Sequence, residues 1–210
     1  MKFLNITLFN SLMIFLLTVS LISLSAPSFT QDYKVKKVGK AFSHPWGISV
    51  FDNDEVLITE RGGHLFKVNI ENGSTIKISN LPDVFNVRQG GLLDVLVDKE
   101  SVSERNVYIC YSSKVSGGSS TTLMAGTLRE DKLISKKILF KSNNVSESGV
   151  HFGCRLAILD DQIFMSIGDR GNRYEAQDET SHAGSVIRVN KYDGSTGEQK
   201  VYNSWPAEVY

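Results

Sequence analysis

The chain has 210 residues, with 23 basic side chains against 23 acidic, and no formal net charge. That balance provides neither the basic patch of a nucleic-acid binder nor an acidic tail. Its hydrophobic share, 41%, is ordinary for a globular protein, and the length suits one domain with a real core.

Residues 1–26 read as separate from that domain. Lys2 is a short basic start, Leu8 to Leu24 is an almost uncharged apolar run, and the small residues Ser25 and Ala26 follow. This is the pattern of a secretory signal peptide. A single membrane anchor is the rival reading, because the run nearly spans a bilayer. Pro27 leaves the cleavage point open. The expected location is exported, periplasmic or secreted, with no stable membrane association once the leader is removed. An exported chain meets oxidising conditions. Cys110 and Cys154 each fall in an apolar, strand-like run, and either a disulfide or two buried free thiols fits them. Their spacing matches no zinc or redox motif.

Beyond the leader, short alternating runs are separated by Gly, Asn, Asp and Ser, and no helical period recurs. Gly47 to Val50, Val56 to Glu60, Leu65 to Ile70 and Thr75 to Ser79 form a first set of four strands. Leu92 to Val97, Val107 to Ser112, Thr121 to Leu128 and Leu133 to Phe140 form a second. Arg155 to Leu159, Ile163 to Ile167 and Val186 to Asn190 begin a third, whose fourth strand is expected at Glu208 to Tyr210. The repeat of about 45 to 60 residues fits four-stranded propeller blades. Three blades do not close a ring, so an incomplete all-β propeller over residues 33–210 is the expected fold.

The strongest chemical signal lies in the third set. His151-Phe152-Gly153-Cys154-Arg155 leads into one strand, and Ile167-Gly168-Asp169-Arg170-Gly171 leaves the next. The turn between them falls near Asp160-Asp161. Residues equidistant from an antiparallel turn face each other, so His151 and Asp169 are predicted to meet at one rim. A carboxylate beside an imidazole fixes its tautomer and raises its basicity, as a general base requires. A purely structural pair is the alternative. Gln89, before the second set, is predicted at the same rim, where Gly90 and Gly91 allow close backbone approach. A plain turn is its alternative.

Other residues read as structural. His44 supports the Pro45-Trp46 turn, Trp46 packs between blades, and His64 is solvated in a tight turn. His182 is placed in a long loop that could face the mouth. Glu175, Asp178 and Glu179 lack the ligand spacing of a calcium loop.

Taken in order, several motifs resemble the soluble quinoprotein glucose/sorbosone dehydrogenase family. They are His44-Pro45-Trp46-Gly47-Ile48, Thr59-Glu60-Arg61 with Gly63, Gln89 to Val95, His151 to Gly171, Gln177-Asp178, His182, Gly184 and Asp193-Gly194-Ser195. The resemblance implies a six-bladed propeller that binds pyrroloquinoline quinone (PQQ) and calcium over one mouth. It implies oxidation of an aldose at C1 to the aldonolactone, with hydride passing to the quinone and electrons to an external acceptor. His151 would be the base and Asp169 its orienting partner. Gln89, Arg155 and Arg170 would contact substrate or cofactor. No metal-binding side chain is assigned. The chain departs from the family at Cys154, where a glycine is usual. It also ends where a Gly-His-Arg-Asn-Pro-type segment follows in relatives, so this would be the N-terminal half of the enzyme. A non-catalytic, exported, propeller-like binding module is the alternative.

Overall fold

A computed structural model describes residues 33–101, 105–195 and the backbone of 202–203. The leader at 1–26 and the strand expected at 208–210 lie outside these. The chain divides into two units, residues 1–37 and 38–210. Of the first, Tyr33 to Lys37 are described, as exposed backbone without regular structure. Everything below concerns the second.

It is built of antiparallel strands. The first sheet is β1 (Pro45–Val50), β2 (Glu55–Glu60), β3 (His64–Asn69) and β4 (Thr75–Ile78). The second is β5 (Leu92–Val97), β6 (Arg105–Val115), β7 (Gly118–Arg129) and β8 (Lys132–Lys141). The third is β9 (Gly153–Leu159), β10 (Gln162–Ile167), β11 (Ser185–Asn190) and β12 (Tyr202–Asn203). Spatial order follows sequence order in each sheet, as in propeller blades. The fourth strand of the third blade is therefore at Tyr202–Asn203, earlier than the sequence pattern suggested. Among the described residues, no helix is long and apolar enough to cross a membrane.

Alternation along the strands explains how the blades stack. Leu57, Leu65, Ile78, Leu92, Val95, Val107 and Ile109 form one buried cluster between the first and second blades. Leu93, Tyr108, Leu123, Phe152, Leu156, Ile163, Met165 and Val189 form another between the second and third. Each fully buried aliphatic side chain in such a cluster contributes about 1.5–3 kcal/mol by leaving water. Polar links add register: Thr59 Oγ1 donates to Leu93 O at 2.5 Å, and Val97 N donates to Ser49 Oγ at 3.1 Å. Cys110 in β6 and Cys154 in β9 are joined as a disulfide, which resolves the open choice between bonded and free thiols. Among the described residues no second blade covers Trp46, which is 44% exposed and shares an apolar face of β1 with the exposed Ile48 and Val50.

Pairing slips at one end of all three blades. At that end the irregularities fall between Pro45 and Ile48, between Leu92 and Val95, and between Met165 and Ile167, while the β7–β8 pair slips twice more within the second blade. Bulges bend a strand and re-aim its side chains. The third has the clearest consequence for the site.

Candidate functional site

From Gln162↔Leu159 to Met165↔Leu156 the β9–β10 pairing is regular. Continued unchanged, it would set Arg170 opposite His151. One extra residue in β9 shifts it, so that Ile167 meets Gly153. Gly168 N then donates to Phe152 O at 3.1 Å, and Asp169 comes opposite His151. Gly168 is needed here, because a Cβ on it would fall 2.0 Å from the His151 carbonyl oxygen.

His151 Nδ1 lies 2.7 Å from Asp169 Oδ1. Oδ1 also accepts the Gly171 amide at 2.9 Å. Burial by itself raises the Asp169 carboxyl. The Gly171 amide and His151 outweigh burial and hold it below the usual carboxylate range, so it is ionised at neutral pH. A carboxylate can only accept, so Nδ1 carries the hydrogen and Nε2 of the neutral ring presents a lone pair. The His151 side chain is 55% exposed and that of Asp169 25%, which leaves the imidazole accessible.

Gln89 comes from the second blade. Its Oε1 accepts the His151 backbone N–H at 2.8 Å, and its own N–H donates to Gly149 O at 2.8 Å. Because an N–H must meet the amide oxygen, the Gln89 NH2 group points elsewhere and keeps its donors. The three residues thus form one exposed group offering a base, a carboxylate that orients it and a donor amide.

Arg170 does not join that group. It is 3% exposed, and its guanidinium is spent on the chain itself. Nε donates to Val150 O, Nη1 to Ser119 O, and Nη2 to Ser119 Oγ and to the carbonyls of Ser146 and Ser148. Its Cζ lies 3.7 Å from the centre of the Phe152 ring. The expectation of a ligand contact is corrected: these donors are already used, and burial pushes the group down to about 10. Arg155 is different. One nitrogen pairs with Asp94 Oδ1 at 3.0 Å while the side chain stays 68% exposed. No hydrogen bond joins it to His151, Asp169 or Gln89.

Two other histidines are fixed away from the group. His64 Nδ1 lies 3.0 Å from Glu60 Oε2 and is not simply solvated. His182 Nδ1 accepts the Asn143 amide at 2.9 Å, and its ring meets Phe140 edge-on. Burial lowers its pKa, so it anchors the 168–184 loop as a neutral ring. Glu175 and Asp178 are likewise tied to Ser181 and Thr180. Among the described residues, no group of three or more His, Cys, Asp or Glu is placed to hold a metal.

Sequence reasoning missed Asp94 as a link between blades. Its Oδ2 accepts Leu156 N at 2.8 Å while Oδ1 takes Arg155, joining β5 to β9. An acid inside the apolar run Leu92 to Val97 was the available signal.

The comparisons agree with this layout. The profile of the Glucose / Sorbosone dehydrogenase family matches residues 42–209. An aldose sugar dehydrogenase of Escherichia coli (strain K12) is 32% identical over 152 residues, covering 70% of this chain and 41% of that protein. A Synechocystis protein of unassigned function is 30% identical, covering 83% and 47%. The crystal structure of the soluble aldose sugar dehydrogenase from E. coli, in its apo form, superposes with a TM-score of 0.70. It is 29% identical, over 76% of this chain and 47% of that one. A PQQ-bound aldose sugar dehydrogenase from Streptomyces coelicolor has the same fold, with a TM-score of 0.67 at 20% identity over 78% and 49%. The chain spans about half the length of the relatives it matches. Its motifs, blades and rim group fall together because it belongs to the glucose/sorbosone dehydrogenase family.

Proposed function

We propose that this chain supplies the proton-accepting part of a site that oxidises an aldose at C1, in partnership with PQQ. The observation that carries the reading is the 2.7 Å contact between His151 Nδ1 and Asp169 Oδ1 on an exposed rim. A fixed Nδ1–H leaves Nε2 free to take the proton of the sugar C1 hydroxyl, and ionised Asp169 stabilises the imidazolium that results. Gln89 holds the His151 backbone and has amide donors left for a sugar hydroxyl or a quinone oxygen.

PQQ, when bound, accepts the hydride that leaves C1, so the sugar becomes a lactone and the electrons pass on to an external acceptor. The rim fits such a polyanion in kind. It offers the Gln89 amide and the side chain of Arg61, whose Nε is buried without a partner. For calcium the described residues show no side-chain cluster, and no step is assigned to it. Export through the leader belongs to the same proposal, and cell fractionation with N-terminal sequencing of the mature protein tests it.

The main experiment reconstitutes purified protein with PQQ and calcium and follows dye reduction by glucose. It uses this chain and a form extended to the length of its relatives. In whichever form turns over, His151→Ala should slow the reaction by about 10²- to 10⁴-fold. Full rate in that variant would remove the base assignment.

A further inference from the structure

We infer that Arg61 is a carboxylate-binding group of the same mouth, gripping an acidic group on the molecule that His151 and Gln89 receive. The inference rests on the reading above and extends it to a residue with no assigned role.

Arg61 follows the last residue of β2, Glu60. Its backbone is fully used: N donates to His44 O at 3.1 Å, and O accepts Leu92 N at 3.0 Å. Its side chain is not. Among the described residues, Arg61 Nε is the one buried side-chain nitrogen or oxygen without a hydrogen-bond partner. Several other cations are matched within the chain: Lys67 meets Glu55, Arg105 meets Asp52, Arg155 meets Asp94, and Arg170 meets carbonyls. The adjacent acid is already committed, since Glu60 takes Ser43 N on one oxygen and His64 on the other.

Location links this side chain to the rim group. A Cβ on Gly91 would fall 2.6 Å from Arg61 Cγ and 1.9 Å from Arg61 O. Gly91, at φ +147, therefore leaves the space that Arg61 crosses. It lies two residues past Gln89, which holds His151. A buried donor without an acceptor destabilises a fold, and a guanidinium fork matches a carboxylate with two parallel bonds. A partner supplied from outside resolves that mismatch. Two sources share the chemistry: a carboxylate of PQQ, or that of an acidic aldose.

The test titrates the chain with PQQ by fluorescence, and with glucuronate and glucose by calorimetry. It compares the unmodified protein with Arg61→Gln and Arg61→Lys. Arg61→Gln should weaken the carboxylate ligand by about 10-fold or more, with Arg61→Lys between, and leave glucose unchanged. Loss for PQQ assigns the cofactor as the source, and loss for glucuronate alone assigns the substrate. The ligand-free melting temperature of Arg61→Gln should hold or rise by about 2–4 °C, since an unmatched donor is removed. A fall of several degrees would make Arg61 structural and overturn the inference. So would a change of less than twofold for both carboxylates, or no saturable binding of either by the unmodified chain. A drop in association state without a change in affinity would assign the guanidinium to a protein carboxylate, and would overturn it too. None of these results bears on His151, whose assignment stands or falls with the dye assay.

Discussion

Replacing Arg170 by methionine keeps most of the volume beside Phe152 and deletes every donor. Of the carbonyls it serves, those of Val150 and Ser148 accept from nothing else among the described hydrogen bonds. Leaving a buried acceptor unmatched costs about 1–3 kcal/mol. Both flanking residues are only partly buried, so water recovers some of that. Losing the guanidinium from the Phe152 ring adds about 1 kcal/mol. The expected loss is about 3–5 kcal/mol, or about 6–20 °C in melting temperature for a domain of this size. Urea denaturation followed by circular dichroism reads it directly. An unchanged midpoint would show that the carbonyl nest contributes nothing. If PQQ affinity fell while the midpoint stayed fixed, Arg170 would be the ligand residue that the family resemblance first suggested.

Two further outcomes follow from the links between blades. Removing the disulfide frees a loop of 44 residues, worth about 4 kcal/mol on the chain-entropy model. Cys154 has φ +84, a conformation that favours glycine. Cys110→Ala with Cys154→Gly should therefore be more stable than Cys110→Ala with Cys154→Ala by about 1 kcal/mol; equal denaturation midpoints would refute the strain argument. Asp94 carries a sign that can be checked against pH. Burial holds its carboxyl above the usual range, ahead of the Leu156 amide and Arg155. Arg155 is mostly exposed, so solvent screens its pull. A raised folded value favours the native state most below the unfolded pKa, about 3.9. That advantage is lost as pH rises through the folded value. Asp94→Asn does not titrate, so its stability relative to the unmodified chain should improve from pH 3 to pH 7. The opposite trend would mean that the Arg155 pair dominates.

The strand pattern was legible because apolar alternation and Gly/Asn/Asp turns recur in each blade, and blade order follows chain order. The meeting of His151 with Asp169 was legible too, but only because near-equality of distance from the turn tolerates an error of one. A strict register from Gln162↔Leu159 would have chosen Arg170. The extra residue in β9 decides the matter; it is accommodated by positive φ at Gly153 and Cys154, which a cysteine in the second position does not advertise in sequence. Arg170 was assigned to the ligand through the family resemblance alone. Its true partners, the backbone carbonyls of Ser119, Ser146, Ser148 and Val150, carry no side-chain signature. For Trp46, alternation with Ile48 and Val50 marks an apolar face but does not say which neighbour covers it.

Unfavourable backbone geometry gathers around the imidazole. His151, Gly153, Cys154, Arg170 and Gly171 all have positive φ, from 51° to 85°. For the three that are not glycine this costs on the order of 1 kcal/mol or more each. What holds them is outside the strained residues: the disulfide to β6, the carbonyl nest around Arg170, and Gln89 on the His151 amide. The ring is thus set by the packing of two blades, and its orientation is settled on folding, before any ligand arrives. Support and chemistry are consequently separable by experiment. Substitutions at Arg170, Cys110 and Asp94 act on buried links and must appear first in denaturation. Substitutions at the exposed His151 ring remove little packing and must appear first in proton transfer, with the denaturation midpoint nearly unmoved. Gln89 also holds the His151 amide, so its loss should register in both measurements.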